Sequence, residues 1–108
     1  MRVNEIKQLS FLRVIVDGND NEIEGVYIGD LLSFVMASGK EGCLWLTVQK
    51  SLNVIAVAQL NDFAAIIFVQ DSYPDQDTID KAKELNISLF VTDKDAYSLA
   101  KELTALGI

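Results

Sequence analysis

The sequence has no histidine, a single cysteine (Cys43) and a single proline (Pro74) among its 108 residues. Without histidine, Ser-His-Asp triads and Cys-His dyads cannot form. One cysteine supports neither an internal disulfide nor a cysteine-ligated iron–sulfur cluster, and tetrahedral zinc would lack its usual ligands. We therefore expect no metal, no cofactor and no catalytic residues, and we predict that the protein is not an enzyme.

Positive charge is also scarce, since nine Lys and Arg residues face sixteen Asp and Glu residues and give a net charge of −7. Nucleic acids and anionic membranes are bound largely through cationic side chains, so we expect neither as a partner. The longest apolar run, 63–69, is far shorter than the ~20 residues of a membrane span. The first ten residues lack the apolar stretch of a signal peptide, and the lone cysteine suits a reducing compartment, so we predict a cytoplasmic protein.

Half of the residues are hydrophobic and 23% are charged, which is typical of a folded globular chain. The length predicts a single domain over residues 1–108. Apolar runs and turn residues predict strands at 11–16, 23–28, 43–48, 64–69 and 87–91, and helices near the N-terminus and at 30–38, 51–60, 75–85 and 94–106. Single helices between successive strands indicate βαβ units. We therefore predict a three-layer α/β domain with a parallel or mixed sheet.

Residue types favoured at helix ends support these bounds. The predicted signals for a helix start are Asn4, Asp30 and the pair Thr92 and Asp95, which resembles a capping box. Gly39 is predicted to close its helix just beyond the last turn. Asn61 and Asn86 are predicted to close theirs in the left-handed conformation.

Two predicted helices, 30–38 and 51–60, are apolar around their whole circumference. A helix of this kind must lie centrally or meet another subunit, and a short chain has few central places. We therefore predict a homodimer. The candidate interface residues are Leu31, Phe34, Val35, Val54 and Val57. The alternative is burial of these helices beneath the N-terminal segment of the same chain.

Small polar residues follow several predicted strands. In parallel α/β sheets, ligands bind beyond the carboxyl ends of the strands, where helix N-terminal N–H groups suit anions. Neither a GxGxxG motif nor a P-loop is present. The candidate ligand-binding residues are Gly29, Asp30, Thr47, Gln49, Ser51, Thr92 and Asp93, and a small anionic ligand is the candidate occupant. The alternative is that these residues are ordinary helix caps.

Two acidic segments are better explained without a metal. The 17–22 turn has oxygen side chains at alternate positions, as calcium loops do. Glu22 nevertheless stands where the loop needs glycine, and Ile28 stands where it needs a bidentate glutamate. The acidic residues between 71 and 80 precede a predicted helix, where carboxylates interact favourably with the helix dipole.

Beyond the first helix, the chain resembles a DRTGG domain. Residues 21–30 occupy the place of the signature stretch of that family, and Gly42-Cys43-Leu44-Trp45-Leu46-Thr47 resembles its Gly-x-Leu-x-Ile-Thr strand. Residues 64–69 resemble its next strand, and 87–91 with Asp95-Ala96-Tyr97 resemble its ending. Asn21-Glu22 replace the Asp-Arg pair of the signature, only Gly25 corresponds to its glycines, and Val48-Gln49-Lys50 replace the Gly-Asp-Arg loop that often follows.

The resemblance implies an α/β fold like the N-terminal domains of HPr kinase and of Mur ligases, frequent dimerisation and no demonstrated catalysis. Such modules accompany CBS domains and phosphotransacetylase domains, which implies a regulatory or ligand-sensing role. We predict a non-catalytic, homodimeric regulatory or small-ligand-binding module. Stand-alone members tend to be encoded near iron-only hydrogenase and redox-sensor genes. The alternative is therefore a protein-interaction subunit that docks on a redox enzyme of hydrogenase type or on a signalling partner.

Overall fold

The computed structural model describes residues 1–108, and every predicted strand and helix is present, most with narrower bounds. The strands are β1 (Arg13–Val16), β2 (Gly25–Ile28), β3 (Cys43–Thr47), β4 (Ala65–Phe68) and β5 (Leu89–Val91). The helices are α1 (Val3–Ile6), α2 (Leu32–Ser38), α3 (Asn53–Leu60), α4 (Gln76–Leu85) and α5 (Ala96–Ala105).

The strands form one mixed sheet in the order β1-β5-β4-β3-β2. Strands β2 to β5 are parallel to their neighbours, while β1 runs antiparallel to β5 at the sheet edge. The register places Gly25 opposite Cys43 and Leu44 opposite Ala65. The predicted parallel or mixed sheet is confirmed.

The helices cover both faces of the sheet. From β2 to β5, each strand lies next to the one before it, always in the same direction across the sheet. Because crossovers between parallel strands are right-handed, the connecting helices α2, α3 and α4 lie together on one face. One hydrophobic cluster lies under these three helices around Trp45 and Phe68, and a second lies under α1 and α5 around Leu46 and Phe90. All residues of β3, β4 and β5 are buried, as expected for strands covered on both faces. The predicted three-layer α/β architecture is confirmed.

The two apolar helices occupy different places in their layer. Helix α3 lies between α2 and α4 and buries Val54 and Val57 in the protein's own core. Helix α2 lies at the outside and buries only Val35. These three valines therefore offer no surface to a partner, which corrects their assignment to a dimer interface. Burial beneath the N-terminal segment is also wrong for α3, because α1 packs with the cluster on the other face of the sheet.

Several predicted N-terminal caps are wrong. Helix α1 begins one residue before Asn4, whose backbone N–H donates to the Asp20 carboxylate instead. Helix α2 has Leu31 as its N-cap and receives no side-chain cap from Asp30. At α5 the cap is Asp95, which accepts from the Ser98 N–H at 2.7 Å. Thr92 forms no capping box with it.

The predicted helix closures at Gly39 and Asn61 are confirmed in position, because both residues are C-caps, but Asn61 does not adopt the predicted left-handed conformation. Gly39 has a φ of −68°, which any residue can adopt, so the backbone conformation does not require glycine at this position. The requirement is space, since a Cβ at Gly39 would lie 2.3 Å from the ring of Phe63. Asn61 has a φ of −91°, and its side-chain amide donates to the carbonyls of Met36 and Gly39 at the end of α2. Asn86 adopts the predicted left-handed conformation, with a φ of 58°.

Candidate functional site

At the carboxyl end of β3, the structure brings together part of the predicted strand-end site. The Asp30 carboxylate accepts hydrogen bonds from the Thr47 hydroxyl at 2.8 Å and from the Val48 N–H at 2.9 Å. The Gln49 side-chain amide donates to the Asp30 carbonyl at 2.8 Å, and the Gln49 N–H donates to the Thr47 hydroxyl oxygen at 3.1 Å. Asp30, Thr47 and Gln49 therefore form one connected polar group, the β3-end cluster.

Gly29 belongs to the same corner of the molecule. Its carbonyl accepts from the indole N–H of Trp45 at 2.8 Å, and its N–H donates to the Leu46 carbonyl at 3.2 Å. Trp45 is itself fully buried, so this bond fixes the end of β2 against the core. Together with the β3-end cluster, Gly29 joins the β2–α2 connection firmly to β3. The internal bonding of these residues is also what the alternative, purely structural interpretation expects.

The remaining predicted site residues lie elsewhere. Thr92 and Asp93 follow β5, which β4 separates from β3, and two strand spacings amount to about 10 Å. They line a separate pocket of about 340 Å³ together with residues 10–13. Ser51 stands before α3, where its carbonyl accepts from the Val54 N–H at 3.1 Å. In many α/β sheets a ligand-binding crevice forms where the strand order reverses direction. Strands β2 to β5 are adjacent in chain order without such a reversal, so no crevice of this kind is present between them.

A concavity larger than the pocket at Thr92 and Asp93 lies at the opposite end of the sheet, next to the segments that lead into the parallel strands. Its volume of about 650 Å³ falls in the range of small-molecule sites. Apolar side chains, including Phe63 and Leu85, form part of its wall. The polar lining consists of four amides and four carboxylates, namely Asn19, Asn21, Gln59, Asn86, Glu22, Glu24, Glu41 and Asp62. We call this feature the amino-end cavity.

The charge of the amino-end cavity limits what it can hold. Its lining includes four carboxylates and neither Lys nor Arg. A phosphate group there would be repelled at close range, whereas neutral polar and cationic groups would be favoured. This cavity has no local signal in the sequence, because its residues come from loops far apart in the chain. The Asn and Asp residues in those loops indicated turns but not that the turns converge.

The 17–22 turn is fixed to the N-terminus by ion pairs. Asp20 accepts from the Asn4 N–H at 2.8 Å and from the Arg2 guanidinium at 3.2 Å, and Arg2 also contacts Glu22 at 3.2 Å. The Asn4 hydrogen bond, reinforced by Arg2, lowers the pKa of the Asp20 carboxyl. The same contacts with Asp20 raise the pKa of Arg2. The acidic groups of this turn therefore hold α1 in place.

No group of three or more His, Cys, Asp or Glu side chains in the structure is arranged to hold a metal ion. Asp75 occupies the N-cap position of α4, but its side chain makes no capping hydrogen bond. Cys43 is a free and buried thiol at the start of β3. None of the five helices combines the length and apolar character needed to cross a membrane.

The fold is similar to a solved structure that contains the CBS and DRTGG domains of the regulatory region of Clostridium perfringens pyrophosphatase. That structure is a complex with an activator, diadenosine tetraphosphate. The TM-score is 0.66 at 14% sequence identity, and the match covers 92% of this chain and 44% of that chain. This chain thus spans less than half the length of its structural neighbour. The likeness shows that the α/β fold is related to one found in that CBS and DRTGG region.

No family model matches the chain, and neither does any curated protein.

Proposed function

We propose that this protein is a DRTGG-type regulatory module that performs no catalysis, acts as a homodimer and binds a small ligand. The fold supports the proposal, because it is shared with part of a regulatory region that binds a nucleotide activator. The observation that carries the homodimer is one stretch of the chain that has exposed apolar side chains and a single charged residue. We call it the β2–α2 surface and define it as residues 25–39.

The β2–α2 surface combines exposed apolar side chains with almost no charge. Leu31 is 61% exposed and Phe34 is 67% exposed, one helical turn apart. Residues 25–39 contain a single charged residue, Asp30, although the chain as a whole contains nine basic and sixteen acidic residues. The Asp30 carboxylate is engaged by Thr47 and Val48 of the same chain. Such a surface gains free energy when another apolar surface covers it.

A second copy of the chain is the partner that the charge distribution favours. Two copies, each with a net charge of −7, repel one another across most of their surfaces. The repulsion is weak where the surface carries few charges, as the β2–α2 surface does. Association there would cover Leu31 and Phe34 in both copies at once, as a symmetric interface requires.

The ligand site of this proposal is the β3-end cluster with Gly29, where polar groups from two consecutive βα connections meet. A small anionic ligand is the candidate, and its binding would replace part of the internal hydrogen bonding of Gln49. The amino-end cavity differs in charge, because it carries four carboxylates, whereas the β3-end cluster carries one, Asp30, which already accepts hydrogen bonds from Thr47 and Val48. The charge of a ligand that binds therefore indicates which location it occupies.

A thermal-shift screen with nucleotides, acyl phosphates and polyamines tests ligand binding. A ligand that binds only the folded state raises the melting temperature, and the rise grows with the logarithm of the ligand concentration above its dissociation constant. We expect at least one nucleotide or acyl phosphate to stabilise the protein, and we expect Gln49→Ala to abolish the shift while Gln59→Ala in the amino-end cavity leaves it intact. Stabilisation by polyamines alone, lost in Gln59→Ala, would move the site to the cavity. No shift at millimolar ligand would contradict ligand binding.

The alternative function is a protein-interaction subunit that docks on a redox enzyme or a signalling partner. The same exposed Leu31 and Phe34 would form its docking surface, so the two functions differ in what covers these residues. A homodimer that buries both side chains favours the regulatory module. A protein that sediments as a monomer, and in which both side chains remain open to solvent, favours the docking subunit.

A further inference from the structure

The β2–α2 surface and the stretch of chain that follows it carry two isolated charges of opposite sign. The β2–α2 surface contains only Asp30, and residues 42–61, which include β3 and α3, contain only Lys50. Lys40 and Glu41 lie between the two stretches, just before β3 and so at its opposite end. Asp30 follows β2 and Lys50 follows β3, and these strands are neighbours and parallel. The two charges therefore lie at the same end of the sheet.

Exposed apolar side chains lie next to both charges. Four of them are within two residues of Asp30 or Lys50 in the chain, namely Ile28, Leu31, Val48 and Leu52. The Val48 N–H donates to the Asp30 carboxylate at 2.9 Å, which holds the segment after β3 beside the segment after β2. The apolar character of the β2–α2 surface therefore continues onto the connection between β3 and α3.

Neither charge has a partner of opposite charge within the chain. The Asp30 carboxylate accepts from Thr47 and Val48 through Oδ1 alone, and its Oδ2 makes no hydrogen bond. Lys50 is exposed and forms no ion pair, although the Asp75 N–H donates to its carbonyl at 3.0 Å. If another surface covered this region, each charge would lose water and would need an opposite charge to offset the loss.

We propose that Lys50 of each copy forms an ion pair with Asp30 of the other copy across the two-fold axis of the homodimer. This inference rests on the proposed homodimer and specifies a contact within it. In a two-fold interface, a contact from one residue to another is repeated in the reverse direction, so one geometry supplies both ion pairs. The Lys50 ammonium would approach the free Oδ2, and the hydrogen bonds of Oδ1 would stay in place.

The charges favour a second copy over an unrelated partner. A two-fold interface needs a surface that is complementary to itself, and one acid and one base among neutral residues meet that need. The partner copy would also bring a cation to the β3-end cluster. Within one chain, no lysine or arginine forms an ion pair with Asp30. The cluster would thus be complete only in the dimer.

Zero-length cross-linking tests the ion pair in the unaltered protein. A carbodiimide joins an amine to a carboxylate only when the two groups are in contact. We mix isotopically labelled and unlabelled protein, allow the copies to exchange, cross-link them and identify the joined peptides by mass spectrometry. We expect Lys50 of one isotopic form to be joined to Asp30 of the other. No cross-link at Lys50, or one confined to Asp75 of the same chain, would overturn the proposal.

A double-mutant cycle measures the strength of the contact. Lys50→Gln removes both ion pairs and should raise the dimer dissociation constant about 10-fold. In an Asp30→Asn background, where the amide oxygen can still accept from Thr47 and Val48, the same change should have almost no effect. The control is Lys83→Gln on α4, which removes another exposed lysine without an ion pair and should leave the dimer unchanged.

Sedimentation velocity over a concentration series measures these constants and separates the possible failures. A monomeric wild-type protein would contradict the homodimer and with it the ion pair. A dimer that Lys50→Gln and Lys83→Gln weaken equally, or that Lys50→Gln weakens equally in both backgrounds, would contradict the ion pair alone. Circular dichroism checks that the variants fold, and the cross-link in the unaltered protein decides if one does not.

Discussion

Helices α2 and α3 have nearly the same apolar composition but opposite surroundings. Helix α3 lies between two other helices and buries Val54, Ile55, Val57 and Ala58. Helix α2 lies at the end of the layer, beside the edge strand β2, and buries only Val35. The difference arises from the position of each helix in its layer. Strands β2 to β5 are adjacent in chain order, so their connecting helices lie side by side, with α3 in the middle and α2 at one end. The fold therefore explains the apolar circumference of α3, whereas it leaves apolar side chains of α2 exposed.

The largest expected effect comes from the core of α3. Ile55 is 1% exposed, and Ile55→Ala should reduce the free energy of unfolding by about 2–4 kcal/mol through lost burial and a residual cavity. The matched change in α2 is Met36→Ala, at an exposed position, which should cost less than about 1 kcal/mol. Urea denaturation at one fixed protein concentration measures both. Equal losses would mean that the two helices are packed alike.

Next in size is the effect of a charge on the β2–α2 surface. Phe34→Glu places a carboxylate where a second copy is expected, and should raise the dimer dissociation constant about 100-fold or more through lost apolar burial and repulsion. Leu60→Glu is the control, because Leu60 is also 67% exposed but lies at the end of α3, outside residues 25–39. Sedimentation velocity over a concentration series compares the two. A dimer weakened equally by both variants would show that net charge alone governs association.

A smaller effect is expected at Asn61, which connects the two helices. Its amide donates to the Met36 carbonyl at 3.0 Å and to the Gly39 carbonyl at 2.9 Å. Asn61→Asp keeps the shape but replaces the donor with an acceptor that faces other acceptors, so it should cost about 1–3 kcal/mol in unfolding free energy.

The control for Asn61 is Asn53→Asp, the same chemical change at an exposed position in the first turn of α3. It should leave stability nearly unchanged, because an acid is tolerated at a helix start. Chemical denaturation of the two variants gives the comparison. Equal stability of Asn61→Asp and wild type would mean that the side-chain cap contributes nothing to holding α2.

The smallest effect concerns helix ends. The N-cap residues of α2 and α3, Leu31 and Leu52, provide no side-chain cap, whereas the N-cap residue of α5, Asp95, accepts a hydrogen bond from the Ser98 N–H. The hydrogen bonds from Ser98 lower the pKa of Asp95 below its usual value. The stabilisation is therefore present above the ordinary aspartate pKa and is lost as the pH falls through the lowered value.

For this reason Asp95→Ala should lower the melting temperature at neutral pH by a small amount, and the difference from wild type should disappear in strong acid. Asp95→Asn, which caps without charge, should retain most of the stability at neutral pH. Melting curves by circular dichroism across the acid range follow both variants. A deficit in Asp95→Ala that stays constant down to the lowest pH would contradict the capping role of the carboxylate.

The alternation of strands and helices could be predicted from the sequence because its signals are local. Apolar runs marked the buried strands, and Asn86 marked a helix end that the structure confirms. Asp30 and Asn61 were assigned local capping roles, but each one makes its hydrogen bonds to a segment about 20 residues away. The residue type indicates that such a side chain will form hydrogen bonds. It does not indicate which segment of the chain the fold places beside it.

The candidate sites show the same limit. The residues after β2 and β3 meet because these strands are neighbours, whereas Thr92 and Asp93 lie two strands away from β3. Strand order depends on pairing between distant segments, and hydrophobic pattern alone does not specify it. The amino-end cavity depends on the convergence of several loops and has even less local signal. The exposed Leu31 and Phe34 were predicted as interface residues because an apolar helix needs cover, which is a local property.

Sedimentation equilibrium of the unaltered protein at micromolar concentrations tests the account most directly. If the β2–α2 surface is covered by a second copy, the particle mass should be twice the 11.9 kDa of the chain, and Phe34→Glu should shift it towards the single-chain mass. A wild-type mass of 11.9 kDa at every concentration would contradict the account, because Leu31 and Phe34 would then remain exposed to water.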